Sequence, residues 1–300
     1  MKEMSSMNKL PRHKRLSLFD TLNYTFLTLY AILCILPFVH VIAASFATTA
    51  ELMQRSFMLF PTKFSLDAYR FIFSTDVIAT SFGVTVYLAV IGTLLNIVFT
   101  ALMAYPLSRR ELDGRQLILM LVLFTMLFSG GMIPNFILVK SLGLLNTLWS
   151  LMIPGLISAF ILIILKNFFQ QMPDGIEESA KMDGANDLVI MIRIVLPLSM
   201  PAIATFSLFY AVGHWNTFFN AVLYINDSTK WPLQVLLRQI VLLTSGGLGD
   251  QTMMSENFVT PPSQTIKMAV VVVATVPMLL VYPFLQKHFA KGVLLGSVKG

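Results

Sequence analysis

The residues with the most potential for chemistry lie in one short segment, 173–187, with the sequence PDGIEESAKMDGAND. Asp174 and Glu177 form a capping-box pattern, which predicts that a short helix begins here. Glu177 and Glu178 then lie in its first turn, where the helix dipole favours negative charge. Gly184 suits the left-handed conformation that ends a helix. Such a helix could dock on another protein, and a surface-lying linker between membrane spans explains the spacing equally well.

A second short helix is expected directly after this turn. Asn186 or Asp187 can cap it, and it covers Leu188–Val195 before Leu196-Pro197 ends it. The segment therefore predicts a helix–turn–helix unit. The small residues around the turn, over which the backbone of a second protein could approach closely, are Ala180, Gly184 and Ala185.

The sequence contains no pattern typical of a catalytic, metal or nucleotide site. The motifs GxxxxGK[ST], HExxH and GxSxG are absent, and the glycine-rich run 246–250 lacks the Lys and Ser/Thr that hold phosphates and Mg²⁺. The single cysteine, Cys34, excludes an intramolecular disulfide and a CxxC metal site. We therefore expect no catalytic residue, no metal site and no cofactor in this chain. Any uphill movement of a solute must be driven by another polypeptide.

The composition indicates a membrane protein built from helices. Of 300 residues, 56% are hydrophobic and only 12% are charged, and the mean hydropathy is +0.76. A soluble domain carries about 25% charged residues, so this chain has too few of them to cover a water-facing surface. The net charge of +6 comes from basic residues that form no continuous patch or arm, which argues against a nucleic-acid partner.

Six apolar runs have the length of about 20 residues that crosses a bilayer. They are Leu22–Phe46, Phe82–Leu107, Leu117–Val139, Leu144–Leu165, Leu198–Ile225 and Met268–Leu285. Lys and Arg are concentrated at both ends of the chain and in the loops after the second and fourth runs. The positive-inside rule therefore places both termini in the cytoplasm. The predicted fold class is an all-α integral membrane protein with six transmembrane helices.

This topology divides the chain into three parts. A cytoplasmic N-terminal tail covers 1–20, a six-span membrane domain covers 21–286, and a cytoplasmic C-terminal tail covers 287–300. The longer loops of the membrane domain are a cytoplasmic loop at 166–197, which holds the helix–turn–helix unit, and two outer loops at 48–81 and 226–264.

Intramembrane charges are missing from all six runs. They contain no Asp, Glu, Lys or Arg, and their only imidazoles are His40 and His214. Ion-coupled carriers place such groups within the bilayer because something must bind and release the ion. The pattern therefore disfavours an ion-coupled carrier, and it also weakens the interpretation as a membrane enzyme.

The fifth run holds the most polar and aromatic cluster of the membrane domain. Sugars are bound by aromatic faces together with amide and hydroxyl partners. Helix packing explains any one of these residues, whereas a path for a sugar explains the cluster. Its members are Tyr210, His214, Trp215, Asn216, Phe218, Phe219 and Asn220.

The cytoplasmic loop resembles the EAA signature of ABC importer permeases in the string Glu177-Glu178-Ser179-Ala180-x-x-Asp183-Gly184-Ala185, followed by Ile194-x-Leu196-Pro197. It departs from the family pattern at Ser179, where Ala is usual. Nearly the whole chain is similar to the type I permeases of carbohydrate importers, especially the smaller subunit of the maltose-type pair. The resemblance implies that the short helix is a coupling helix between transmembrane helices 4 and 5. The residues it assigns to ATPase coupling are Glu177, Glu178, Ala180, Asp183, Gly184, Ala185, Leu196 and Pro197.

The same resemblance implies partners for the chain. They are a second, homologous permease in a heterodimer, two cytosolic ABC ATPase subunits that bind ATP and Mg²⁺, and an extracellular solute-binding protein. The chain would lie in a bacterial plasma membrane, in contact with lipid, and would carry an oligosaccharide. Segments 59–69 and 213–220 resemble a branch that includes permeases for alginate- and pectin-derived oligosaccharides. The alternatives are an ABC permease for a non-sugar solute and an ion-coupled carrier.

Overall fold

The computed structural model describes residues 18–55, 57–244 and 264–297. Every regular element within these residues is a helix. An isolated antiparallel β-bridge joins Ala47 to Phe64. The predicted all-α fold class is therefore confirmed.

Some predicted segments lie partly outside the described residues. They are the first 17 residues of the N-terminal tail, the part of the second outer loop at 245–263 that includes the glycine-rich run, and the last three residues of the C-terminal tail.

The helices are numbered in chain order. They are α1 (Leu18–Ser45), α2 (Thr49–Gln54), α3 (Asp67–Ser74), α4 (Asp76–Tyr87), α5 (Thr93–Ser108), α6 (Arg115–Leu127), α7 (Met132–Ser141), α8 (Ala159–Gln170), α9 (Asp174–Met182), α10 (Asp187–Ile190), α11 (Leu196–Leu198), α12 (Met200–Trp215), α13 (Phe219–Tyr224), α14 (Leu233–Thr244) and α15 (Gln264–Ser297). Two π-helical segments, Leu88–Gly92 and Met191–Val195, join α4 to α5 and α10 to α11, and 3₁₀ turns lie at Leu148–Leu151 and Ser228–Lys230.

Among the described residues, 3 stretches of helix have the length and hydropathy to cross a membrane unaided: Leu18–Ser45, Asp76–Ser108 and Gln264–Val281. They correspond to the first, second and sixth predicted spans. The π-helical segment Leu88–Gly92 joins α4 and α5 into one stretch. α15 continues past residue 286 to Ser297, so no break marks the predicted start of the C-terminal tail.

The predicted third and fifth spans are not single helices. The third consists of α6 and α7, which meet at 117°, because the residues between them leave the helical conformation and Gly131 adopts a φ of 86°. In the fifth span, α12 ends at Trp215 and α13 starts only at Phe219. The carbonyl of Val212 accepts both from Asn216 Nδ2 at 2.9 Å and from the N–H of Asn216 at 3.1 Å, so Asn216 caps the end of α12.

The predicted fourth span, Leu144–Leu165, is only partly helical. It consists of a 3₁₀ turn at Leu148–Leu151, an irregular stretch with Pro154 and Gly155, and the start of α8 at Ala159. α8 has 12 residues, which is about 18 Å and shorter than the hydrocarbon core. The described residues therefore supply up to 5 spans if each bent helix pair counts as one, and the number six stays a prediction.

One buried core holds the loop at 166–197 against the apolar helices. α5 packs against α8, and α12 packs against α5 and α8. The core side chains include Ala104, Leu162, Leu165, Phe169, Ile190, Val195 and Phe206. By contrast, α1 packs mainly against α15 and turns apolar side chains such as Phe26, which is 67% exposed, away from the protein. A helix that is apolar all round is typical of a lipid-facing span.

The first outer loop folds around a buried carboxylate. Glu51 in α2 is 7% exposed and accepts hydrogen bonds from the backbone N–H groups of Thr62 at 2.8 Å and Lys63 at 3.0 Å, and from the Thr62 hydroxyl. Because these bonds favour the charged form, they lower the pKa of Glu51 to about 2. The loop therefore has a defined shape.

A short helix, α3, follows Ser65 in the first outer loop, and Ser65 is not its N-cap residue. The N-cap residue is Leu66. Ser65 instead contacts the first helical residue: its hydroxyl accepts from the N–H of Asp67 at 3.1 Å and donates to the Asp67 carboxylate at 2.8 Å.

Candidate functional site

The short helix predicted to begin at the capping box of Asp174 is present as α9, although the capping box itself is wrong. Pro173 occupies the N-cap position, and Asp174 is the first helical residue. Glu177 does not reach back to the start of the helix, because its carboxylate is paired with Arg109 from the end of α5. A tertiary ion pair has therefore replaced the local cap.

The turn after α9 has the geometry that Gly184 predicts. Gly184 has a φ of +79°, and its N–H donates to the carbonyl of Lys181 at 3.0 Å. The N–H of Ala185 donates to the carbonyl of Ala180 at 3.0 Å. This pair of bonds is a Schellman motif, which satisfies carbonyls that the end of a helix leaves free.

The second helix of the unit begins as predicted but ends later. Asn186 Oδ1 accepts from the N–H of Val189 at 2.9 Å and caps α10. The helix then continues through Leu196 and Pro197, so the predicted end there is wrong. The π-helical segment Met191–Val195 changes the hydrogen-bond pattern ahead of α11. Pro197 lies in the first turn of α11, where a backbone N–H has no partner within the helix and is not needed. The chain changes direction by 83° only at the start of α12.

The ion pair of Arg109 and Glu177 joins α9 to α5. The Glu177 side chain is 9% exposed and that of Arg109 is 23% exposed. The guanidinium also lies over the ring of Tyr105, 4.6 Å from its centre. Burial raises the pKa of Glu177, and the charge of Arg109 opposes that rise. A largely buried charge pair therefore fixes α9 to the end of the apolar stretch that contains α5.

The residues assigned to coupling divide between two faces of the loop. Ala180, Ala185 and Leu196 pack against the core. Glu178, Asp183, Gly184 and Pro197 are exposed. The exposed side also carries Met182, which is 88% exposed and which no sequence pattern indicated. Glu178 and Met182 belong to α9 and Asp183 follows its end directly, so α9 has an exposed side in addition to the side that is packed against the core.

A polar cavity of about 310 Å³ lies beside α9. Its lining includes Arg109, Arg110, Gln170, Glu178 and Lys181. From the sequence, Arg109 and Arg110 were interpreted only as basic residues that flank the second apolar run. Their role as walls of this cavity follows from the packing of α5 against α8, which brings the C-terminal ends of the two helices together.

Three residues of the predicted cluster in the fifth span connect helices. Tyr210 Oη contacts Thr100 Oγ1 at 2.9 Å and accepts from the N–H of Ser158 at 3.1 Å. His214 Nε2 contacts Oδ1 of Asn96 at 2.6 Å. Trp215 Nε1 donates to the carbonyl of Ala274 in α15 at 3.0 Å. These contacts tie α12 to α5, α15 and the irregular stretch before α8.

Asn96 was missed by the sequence analysis. It is 1% exposed, and its amide donates to the carbonyls of Gly155 at 2.9 Å and Leu156 at 2.8 Å. It thus satisfies backbone groups that the break in the fourth span leaves free. A buried amide within an otherwise apolar run was the signal that could have indicated it.

The contact of His214 with α5 also requires a glycine. A Cβ at Gly92 would lie 2.5 Å from His214 Nε2. The imidazole therefore occupies the space above a glycine at the end of the π-helical segment, and such segments often occur at functional sites.

The other four residues of the cluster behave differently. Asn216, Phe219 and Asn220 are exposed. Phe218 is half-buried, and the guanidinium of Arg238 lies 5.1 Å from the centre of its ring. The predicted cluster therefore splits into a part that joins helices and a part that is open to a ligand or partner.

Replacing Trp215 tests this division. Trp215 is 6% exposed and its ring meets Phe82 edge to face at 5.9 Å. We expect Trp215→Ala to remove about 3 kcal/mol of packing free energy and to lower the melting temperature in detergent by several degrees. Asn216→Ala is the control, because its side chain is exposed and bonds only within its own helix. Equal melting temperatures for both variants would contradict the division.

The chain resembles known proteins along nearly its whole length. Residues 78–295 match the family model described as binding-protein-dependent transport system inner membrane component. The polygalacturonan/rhamnogalacturonan transport system permease protein YtcP of Bacillus subtilis is 64% identical over 94% of this chain and 99% of that protein. Protein LplC of the same organism is 55% identical over 99% of this chain and 100% of its own.

A solved structure has the same fold. It is the crystal structure of a bacterial ABC transporter involved in the import of the acidic polysaccharide alginate. One of its chains superposes with a TM-score of 0.82 at 30% identity, over 90% of this chain and 96% of that one.

Proposed function

This chain belongs to the family of binding-protein-dependent transport system inner membrane components. We therefore propose that it is the permease subunit of an importer for acidic oligosaccharides. Separate ATPase subunits would drive this importer. The chain is thus a membrane component of an ABC importer and not itself an ATPase. The source of the energy and the class of the solute are the proposed parts.

The observation that carries the proposal is the way in which α9 is held. Its exposed surface with Glu178, Met182 and Asp183 faces away from the protein, while Glu177 is paired with Arg109 behind it. A helix fixed on one side and free on the other can receive a partner and pass its movement on. We propose that the ATPase subunits dock on this surface.

The connections of α9 suggest how movement would reach the membrane. The Arg109 pair leads to α5, and the Schellman turn leads through α10 and α11 to α12. When ATP binding closes the ATPases, α9 would move with the subunit on which it docks. The two routes would then turn α5 and α12 together and change the bundle from inward-facing to outward-facing.

The proposed assembly contains further subunits. It consists of this chain, a second permease, two cytosolic ATPases that hold ATP and Mg²⁺, and an extracellular solute-binding protein. We place it in a bacterial plasma membrane with both termini of this chain in the cytoplasm, as the distribution of Lys and Arg indicates. With this orientation the surface on α9 faces the ATPases.

The acidic class of the solute rests on the relatives. YtcP is described as a polygalacturonan/rhamnogalacturonan permease, and the solved transporter imports the acidic polysaccharide alginate. Polygalacturonan and alginate are both chains of uronic acids, so their fragments carry a carboxylate on most rings. We therefore propose short oligouronides as the solute of this chain.

Uptake into proteoliposomes tests the proposal. We expect the complete complex with its binding protein to take up labelled oligogalacturonate when ATP is present inside, and to discriminate against a neutral maltooligosaccharide of equal length. The purified chain by itself should hydrolyse no ATP. ATP hydrolysis by the chain alone, or preferred uptake of the neutral sugar, would overturn the corresponding part of the proposal.

A further inference from the structure

Arg238 is a cation on the outer side of the predicted topology that the proposed function has not used. It belongs to α14, in which Leu233, Leu236 and Ile240 form one buried stripe and Val235 is buried beside it. Because these side chains anchor the helix in the core, the position of α14 is set. Arg238 lies on the opposite side and is exposed.

The charge of Arg238 is not used for an ion pair within the described part of the chain. In residues 18–55, 57–244 and 264–297, the neighbouring outer cation Lys230 is paired with Asp227 at 3.2 Å, and Arg70 is paired with Asp67 at 3.7 Å. No carboxylate of these residues lies within ion-pair distance of Arg238. Within these residues, therefore, no carboxylate neutralises its charge.

The ring of Phe218 orients this guanidinium. Phe218 lies in the break between α12 and α13, and the guanidinium carbon stands 5.1 Å from the centre of its ring. An arginine held by one face on an aromatic ring keeps the N–H groups of its edge free, and that edge matches a carboxylate with two parallel hydrogen bonds. The stacking thus restricts the Arg238 side chain before a ligand binds, so binding costs less conformational entropy.

The surroundings of Arg238 suit a sugar. A cavity of about 170 Å³ adjoins it, and its lining includes Asn226, Trp231 and Gln239. Amide groups can bind hydroxyls, and an aromatic face can cover the apolar side of a sugar ring. Asn216, Phe219 and Asn220 are exposed around the same break in the fifth span.

We propose that Arg238, held over Phe218, binds a carboxylate of the transported oligouronide at the outer end of the fifth span. This inference rests on the proposed function, and it gives the chain its own part in selecting an acidic solute. Two other anions could meet an exposed arginine, a carboxylate of the second permease and a lipid phosphate, and the experiment distinguishes them.

The test compares three variants in the complete complex, with oligogalacturonate uptake measured per assembled complex. We expect Arg238→Gln to lower uptake at subsaturating solute by about tenfold, the loss of one charge-assisted bidentate contact. Arg238→Lys should retain part of the activity. Lys230→Gln removes a nearby outer charge that is already paired, and it should leave uptake unchanged.

Each other result has a separate meaning. If the parental complex takes up no oligogalacturonate, the proposed function fails and this inference fails with it. If the parental complex transports and Arg238→Gln transports equally well, the inference alone is overturned. If Arg238→Gln reduced the amount of assembled complex, the arginine would instead bind a carboxylate of the second permease. Recovery of Arg238→Gln uptake in vesicles without anionic lipid would assign it to lipid, and both results also overturn the inference.

Discussion

Gly184→Val is expected to abolish ATP-coupled uptake while the protein still inserts into the membrane. Gly184 ends α9 with a φ of +79°, a conformation that costs a non-glycine residue about 1–2 kcal/mol, with β-branched residues among the least suited to it. A Cβ at Gly184 would have no atom of another residue within 4 Å apart from its chain neighbours, so the effect comes from the backbone and not from a clash. Losing the turn would reorient α9 relative to α10. The readouts are ATPase binding and uptake per inserted molecule.

Two control variants separate the turn from general strain. Gly184→Asn should retain most of the uptake, because Asn tolerates the left-handed conformation better than other residues do. Gly143→Val places the same side chain at a glycine with a φ of +68°, also in open space, in the loop after α7. It should bind ATPase normally. A Gly184→Val complex that binds ATPase and transports at the parental rate would refute the coupling role of this turn.

Arg109→Ala should uncouple ATP hydrolysis from uptake. The change leaves the carboxylate of Glu177, 9% exposed, without its cation, at a cost on the order of 1–3 kcal/mol. Because burial already raises the pKa of Glu177 and Arg109 opposes that rise, the variant should hold Glu177 protonated to a higher pH. α9 would then lose its connection to α5. We expect weaker ATPase binding and fewer molecules transported per ATP hydrolysed.

A double-mutant cycle identifies the pair as the cause. Glu177→Gln combined with Arg109→Ala removes the unpaired charge, so the double variant should be less impaired than the sum of the single variants. Arg110→Ala is the control, since Arg110 is exposed and follows directly in the chain. Additive effects of the two single changes, or equal loss in Arg110→Ala, would show that the pair has no special part in coupling.

Features that depend on short stretches of chain are predicted correctly from the amino-acid sequence. The apolar content predicts the helical membrane fold. The left-handed turn at Gly184 and the cap at Asn186 follow from the preferences of single residues, and the structure has both. These predictions succeed because a glycine conformation or a side-chain cap involves neighbours within three or four residues.

The positions at which the apolar runs break depend instead on contacts between distant parts of the chain. Hydropathy measures composition and gives no information about backbone direction, so Leu117–Val139 and Leu198–Ile225 looked like whole spans. A helix can be interrupted inside a membrane only where other groups form hydrogen bonds with the backbone N–H and C=O groups that the interruption leaves free. For the fourth run, Asn96 supplies those bonds from a position 59 residues away.

Tertiary structure also decided the parts played by the site residues. Glu177 had the spacing of a local cap, but the charge of Arg109, 68 residues earlier in the chain, holds it instead. The aromatic cluster looked uniform along the fifth run. Only the packing of α12 against α5 and α15 shows that Tyr210, His214 and Trp215 connect helices while Phe218 lies beneath Arg238. Such contacts join residues that are far apart in sequence. The local spacing of residues does not indicate which distant side chain will pack against them.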